Sequence, residues 1–323
     1  MSTRLGVAIK EVAEVIDALQ LKDKQPMGLY EPMDYLLSHG GKRIRPLITL
    51  LTYRAFAGEK EWSKLVPVMQ AVELFHNFTL LHDDVMDDAP IRRGVPTVYK
   101  KYGTSQAILS GDGMLIEAYH CIASVETRYI PELLRRFNAM GTAVCEGQQY
   151  DTEYESVPLA EMSVARYMDM IRLKTSHLFL GAAALGAIMA DAPQESVERI
   201  SKAIDLMGLA FQIKDDWLDI YGEPKFGKSK GGDILEAKKT WMLIRTYEQS
   251  PAEVIRILEL QEDTAKITQM TELYTQLGVG DEAMAEVQRL TTLAQESLRA
   301  LALPSSAIEP FSELFDQLLN RNL

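Results

Sequence analysis

An all-α protein is what this sequence predicts. Apolar residues recur at helical spacing almost throughout, runs of Val, Ile and Thr alternating with polar residues are nearly absent, and prolines mark the breaks between periodic stretches. The composition, 47% hydrophobic and 25% charged over 323 residues, is that of an ordinary soluble globular protein with chain enough for a large core. No low-complexity linker divides the halves, so residues 1–323 read as a single domain. A formal charge of −12 disfavours a nucleic-acid partner. Cys121 and Cys145 form no CxxC pair, which points away from a disulfide framework or thiolate metal site and towards a reducing compartment, the cytoplasm.

The N-terminal "MSTRLGVAIKEVAEVIDALQ" is interrupted by Lys10, Glu11, Glu14 and Asp17, so it reads as an amphipathic helix and not as a signal peptide. "LVPVMQAVELFHNFTLL", 65–81, is apolar on nearly every face, as expected of a helix surrounded by others. Breaks follow at Pro90, Pro96, Pro131, Pro158 and Pro193. The most apolar run, "LFLGAAALGAIMA" at 178–190, is short of the roughly 20 residues that span a bilayer, so a buried core helix is expected and no membrane span. "FQIKDDWLDIYGEP" closes a further apolar segment at Gly222 and Pro224. Ser250-Pro251-Ala252-Glu253 reads as an N-cap, a first-turn proline and a capping-box Glu.

The charges at two helix ends carry the chemistry. "LLHDDVMDDAPIRRG" closes the central helix with Asp83, Asp84, Asp87 and Asp88, although a helix C-terminus already carries the negative end of its dipole. Asp215, Asp216 and Asp219 repeat the arrangement. Asp83 and Asp87, like Asp215 and Asp219, are i,i+4 and share a helix face. Two carboxylates about 6 Å apart repel by about 3 kcal/mol at an effective dielectric near 20. Hard divalent cations with oxygen ligands would offset that, and magnesium fits best, since it takes one or two carboxylates plus substrate phosphates. A phosphorylated substrate between two facing helices is the implied partner.

Basic residues stand close to the acidic ones. "HGGKRIRP" supplies Lys42, Arg43 and Arg45 after a Gly40-Gly41 turn, and "PIRRG" places Arg92 and Arg93 just beyond the first aspartates. Lys174 begins the most apolar run, where a lysine needs an anionic partner. His76, seven residues before Asp83, lies on the same face of the central helix.

In this order, "GGKRIRP", "LLHDDVMDDAPIRRGVPT", "GQQYD", "KT", "FQIKDDWLD" and "GKSKGGDILEAKKT", within about residues 40–240, resemble the trans-isoprenyl diphosphate synthases. The resemblance implies an isoprenoid synthase-type helical bundle around a central cavity, a homodimer, and head-to-tail condensation of isopentenyl diphosphate with an allylic diphosphate. It implies magnesium, about three ions per active site, held by Asp83, Asp87 and Asp215, with Asp84, Asp216 and Asp219 as supporting ligands or acceptors behind them. Arg92, Lys174, Lys228 and Lys238 would contact the allylic diphosphate, and Lys42, Arg45, His76 and Arg93 the isopentenyl diphosphate. Thr175 and Gln212 would present oxygens to an allylic cation.

Two positions depart from the family pattern, Tyr99 where many members have His and Ala237 where Gly is frequent. For chain length, Phe75, Phe78 and Thr79 lie along the path of a growing tail. Thr79 is small and "DDVMD" carries no insertion, so by resemblance a C20 product, geranylgeranyl diphosphate, is expected, with C15 as the alternative. A terpene cyclase would have no use for the Lys42, Arg45 and Arg93 set, and an inactive regulatory subunit would be expected to lose aspartates.

Overall fold

The computed structural model describes residues 3–19, 21–59, 61–222 and 230–320. In chain order its helices are α1 (Arg4–Asp17), α2 (Met27–Ser38), α3 (Ile44–Ala57), α4 (Val66–Met86), α5 (Val98–Tyr102), α6 (Thr104–Ala123), α7 (Ile130–Ser156) and α8 (Val164–Ile171). They continue with α9 (His177–Met189), α10 (Gln194–Tyr221), α11 (Gly232–Leu235), α12 (Trp241–Gln249), α13 (Pro251–Leu258), α14 (Asp263–Gln276), α15 (Val279–Arg299) and α16 (Ser305–Asn320). Between α8 and α9, residues Arg172–Ser176 form a π-helical turn.

Helix α4 is central, as its all-round apolarity demands: it packs on α1, α3, α6 and α9 and buries Val68, Met69, Ala71, Val72, Leu74, Phe75 and Leu81. Helix α9 is the expected core helix. Its small residues admit the α3 backbone so closely that a Cβ on Gly186 would lie 2.3 Å from the Thr49 carbonyl oxygen. The Thr49 hydroxyl donates to the Ala182 carbonyl across the same crossing (3.1 Å). Buried apolar side chains gather in two clusters, one around α1, α3, α4, α6, α7 and α9 and one around α8, α10 and α12–α15, with Leu206 touching both. Among the described residues no helix is long and apolar enough to cross a membrane.

The all-α class holds, with one local addition and one local correction. The addition is a ribbon of β1 (Ile91–Arg92) and β2 (Val95–Pro96). Arg93 (φ 53°) and Gly94 (φ 80°) turn it, both in the left-handed region that a two-residue hairpin turn requires. Two-residue strands are too short to leave an alternation in the sequence. The capping box at Ser250 is absent: the Ser250 amide already donates to Thr246, where it closes α12 (2.8 Å), so Glu253 has no free amide to reach. Glu253 pairs with Arg256 instead (2.9 Å). Elsewhere side chains do cap, with Thr3 accepting from Gly6 and Thr240 from Leu243. Helix α10 stops at Gly222 as expected, and Pro224 lies outside the described residues.

Candidate active site

The C-terminal end of α4 supplies the first acidic group. Asp83 is half-buried, Asp84 is buried at 1% exposure, and Asp87 is exposed where it ends the helix. Burial pushes the Asp83 carboxyl up to about 6; Lys174 and Arg92 pull it down, while Asp87 and Asp151 push further. Near the end of α10, Asp215 and Asp219 are half-buried and Asp216 is buried. Burial and then Asp233 push Asp216 up to about 7 against the pull of Lys238.

Lys238, just after α11, joins the two groups. Burial opposes its charge, yet Asp233, Asp216, Asp151 and Asp87 outweigh that and hold its ammonium well above the ordinary lysine range. Carboxylates from α4, α7, α10 and α11 thus converge on one cation. Asp87, Asp151 and Lys238, together with Lys174 and Met86, line a cavity of about 440 Å³ whose described titratable lining contains neither His nor Cys, and Asp83, Asp215 and Asp219 are not on that wall.

Not every aspartate points there. Both oxygens of Asp84 accept from Arg92 Nε (2.8 and 2.9 Å), and Arg92 Nη2 reaches Oδ1 at 2.7 Å. Of the two roles expected of Asp84, supporting ligand or acceptor behind the ligands, this sealed placement suits the acceptor, which orients Arg92. Asp219 Oδ2 accepts from the Asp233 amide (3.1 Å), which ties the second cluster to the start of α11.

Lys174 and Thr175 sit in the π turn, whose extra residue re-aims side chains out of the regular helical register. Lys174 Nζ meets Asp151 Oδ2 at 2.5 Å, which supplies the anionic partner its sequence position calls for. Gly147, one helical turn before Asp151 on α7, makes the approach possible: a Cβ there would stand 2.1 Å from the Lys174 amide nitrogen. Thr175 Oγ1 donates to Gln212 Oε1 (3.0 Å), and Gln212 Nε2 donates to Asp216 (2.9 Å). The Gln212 oxygen expected to face a cation is therefore already engaged.

A second cavity, about 470 Å³, is lined by His39, Gly41, Lys42, Arg45, Glu73, His76 and Arg93. Arg45, in the first turn of α3, is as misplaced against its helix dipole as the aspartates of α4 are against theirs. Its guanidinium lies over the Phe179 ring (4.8 Å) and contacts His76 Nε2 (3.0 Å), and burial lowers its pKa to about 10. His76 is held neutral, burial and Arg45 both pressing its pKa well below the usual value. Its Nε2 accepts from Arg45, and among the described residues the buried Nδ1 has no partner. Arg93 donates to the Gly40 carbonyl, and a Cβ on Gly41 would lie 2.7 Å from its guanidinium, so the second glycine of the turn lets the arginine in. Arg43 also lines this cavity, with its guanidinium paired to Asp17 on α1 (2.7 Å).

Two separate cavities lie beside α4, one lined by carboxylates with Lys174 and Lys238 and one basic, and the sequence comparison agrees with what they suggest. Residues 26–277 match the family described as Polyprenyl synthetase. The chain belongs to the polyprenyl synthetase family. It is 41% identical over 223 residues to a short chain isoprenyl diphosphate synthase of Methanocaldococcus jannaschii, a match covering 68% of this chain and 66% of that protein. Identity to a geranylgeranyl diphosphate synthase of Methanosarcina mazei is 37% over 252 residues, or 77% and 74% of the two chains. A crystal structure of a geranylgeranyl pyrophosphate synthase superposes with a TM-score of 0.93 at 34% identity, covering 98% of this chain and 99% of the other. The polyprenyl synthetase match reaches further toward both ends than the motifs from about 40 to 240.

The residues expected to limit the tail lie on α4 below Asp83. Phe75 is buried edge-on against Phe137 of α7 (5.4 Å) and Phe78 (5.5 Å), and Phe78 meets His82 edge-on (4.8 Å). The Thr79 hydroxyl donates to the His76 carbonyl (2.8 Å). Lys228 lies outside the described residues. Sequence reasoning missed Asp151, Asp233, Glu73 and Tyr167 as members of this polyprenyl synthetase site. Asp151 stands in the quoted "GQQYD", where an acid one turn after a glycine was the available signal.

Proposed function

We propose that this chain condenses isopentenyl diphosphate head-to-tail with an allylic diphosphate to make geranylgeranyl diphosphate, as a homodimer in the cytoplasm. The observation that carries the reading is the pair of cavities, one rich in carboxylates with Lys174 and Lys238, the other built from Lys42, Arg45, His76 and Arg93. A terpene cyclase has no second diphosphate for the basic pocket to hold.

The donor set of the first cavity fits magnesium. Its ligating side chains offer oxygen, and among the described residues no three carboxylate, imidazole or thiolate groups converge tightly enough to hold an ion alone. Substrate phosphates would complete the shells. Asp83, Asp87 and Asp215 would hold the ions, with Asp219 in support, and bound magnesium would neutralise the charge that develops on the leaving diphosphate.

Arg92, oriented by Asp84, together with Lys174 and Lys238, grips the allylic diphosphate as its C–O bond breaks and the electron pair leaves with it. Lys174 exchanges Asp151 for that diphosphate. Lys42, Arg45 and Arg93 hold the second diphosphate, to which neutral His76 donates from Nδ1, and so fix the isopentenyl double bond beside the allylic carbon. The double bond attacks, the new C–C bond forms, and the departing diphosphate removes the proton, so no protein base is required. Thr175 turns its oxygen to the allylic cation, and the surrounding apolar wall excludes water.

The dimer would cover Ile108, Leu109 and Ile116, which are 42%, 54% and 55% exposed along α6. Incubating the purified chain with dimethylallyl, geranyl or farnesyl diphosphate plus isopentenyl diphosphate, then sizing the products, tests the reading. A C20 product is expected; no condensation, or cyclised products, would overturn it.

A further inference from the structure

Tyr167, Asp216, Gln212 and Thr175 form a single hydrogen-bonded file that runs from the second core cluster to a small cavity they share with Lys174 and Lys238. The direction of each bond is dictated by the one behind it. The buried Tyr167 hydroxyl donates to Asp216 Oδ2 at 2.6 Å. A carboxylate only accepts, so at Oδ1 it takes the Gln212 amide N–H (2.9 Å). That turns the other end of the amide, Oε1, toward Thr175, and an amide oxygen also only accepts. The Thr175 hydroxyl must therefore give its proton to Gln212 (3.0 Å).

We infer that Asp216, held in place by Tyr167, is a positioning residue that sets the direction of the Thr175 hydroxyl, so that its lone pairs and not its proton face the carbon where positive charge develops. The inference rests on the prenyl-transfer reading above, in which the Thr175 oxygen faces the cation. A hydroxyl without this file would rotate among its staggered positions and in some of them aim the positive end of the O–H dipole at the cation. The file removes that freedom before substrate arrives, which is preorganisation of a dipole. Asp216 thus acts in the second aspartate cluster without ligating metal, and its buried position between two donors is what such a role requires.

Reversing the file tests this. In Asp216→Asn the Tyr167 proton still claims the side-chain oxygen, so the new amide N–H points at Gln212, Gln212 flips, and Thr175 becomes an acceptor with its proton turned outward. The expected result is a fall in kcat of about 10- to 100-fold, on the scale of losing one preorganised contact, with KM for both substrates within about twofold and magnesium affinity unchanged. Thr175→Val should lose a similar factor and Thr175→Ser should restore it. The double variant Asp216→Asn/Thr175→Val should be no slower than the slower single variant by more than about threefold, because both act through one oxygen.

Losses that multiply in the double variant, or a raised requirement for magnesium in Asp216→Asn, would overturn the inference and assign Asp216 to the metal. Wild-type kcat in Thr175→Val would instead overturn the role of Thr175 itself. Should Asp216→Asn not fold, Gln212→Met breaks the file between Asp216 and Thr175 without changing a charge. A severalfold loss of kcat that vanishes on a Thr175→Val background supports the file, and an equal loss on both backgrounds refutes it.

Discussion

Replacing Gly147 with alanine would place a methyl carbon 2.1 Å from the amide nitrogen of Lys174 and 2.6 Å from its Cα. Both are backbone atoms, so no side chain can swing aside. Carbon needs about 3.5 Å from its neighbours, and α7 and the π turn would have to part by about 1–1.5 Å. Overpacking of this kind costs about 1–3 kcal/mol of stability. The functional loss should be larger in proportion, because the same turn carries Lys174 and Thr175 and is tied to α7 through the 2.5 Å contact of Lys174 with Asp151. Misplacing reacting groups by about 1 Å costs about a hundredfold in rate. We therefore expect Gly147→Ala to melt several degrees lower yet remain folded at assay temperature, with kcat down about a hundredfold and KM for isopentenyl diphosphate nearly unchanged. Steady-state kinetics and a thermal melt of the purified variant check this. Wild-type kcat in a folded variant would show that the close approach of α7 to the π turn has no part in catalysis.

Arg45→Ala should raise KM for isopentenyl diphosphate about 10- to 100-fold, the worth of one charge-assisted hydrogen bond, with a smaller change for the allylic substrate. An unchanged KM would move the second diphosphate elsewhere. Phe78→Ala, assayed with farnesyl diphosphate as starter, should give products longer than those of the unmodified protein, because removing the ring opens space beside Phe75 and His82. An unaltered product distribution would place the floor deeper in the bundle.

The central helix, the core helix α9 and both aspartate clusters were legible because periodicity is a local property and a charge at the wrong helix end is visible in a string of letters. What escaped was pairing between segments. Asp84 looks like its neighbours in "DDVMDD", and only the ribbon turned by Arg93 and Gly94 shows that Arg92 folds back onto it. Asp151 and Lys174 come from α7 and the π turn, and no pattern within either announces the other. Glu73 is an unremarked acid in an apolar helix until three arginines are seen to act on it, Arg45 the most strongly. Ala237 was noted where Gly is frequent, and the reason is visible in its backbone: φ is 50°, in the left-handed region that glycine occupies without strain. The capping box failed for a comparable reason, since the Ser250 amide was already committed to the helix before it.

The proposed chemistry requires that two sets of otherwise repelling carboxylates, on α4 and α10, act together through magnesium on one allylic diphosphate. Its most direct test is turnover of the purified chain with an allylic diphosphate and isopentenyl diphosphate, comparing the unmodified protein with Asp83→Ala and Asp215→Ala, each with magnesium and with excess chelator. The expected result is condensation by the unmodified protein with magnesium, its loss in chelator, and a fall of at least about a hundredfold in each variant, the scale of one lost electrostatic contact. Near wild-type turnover in either variant, or full activity in excess chelator, would contradict it.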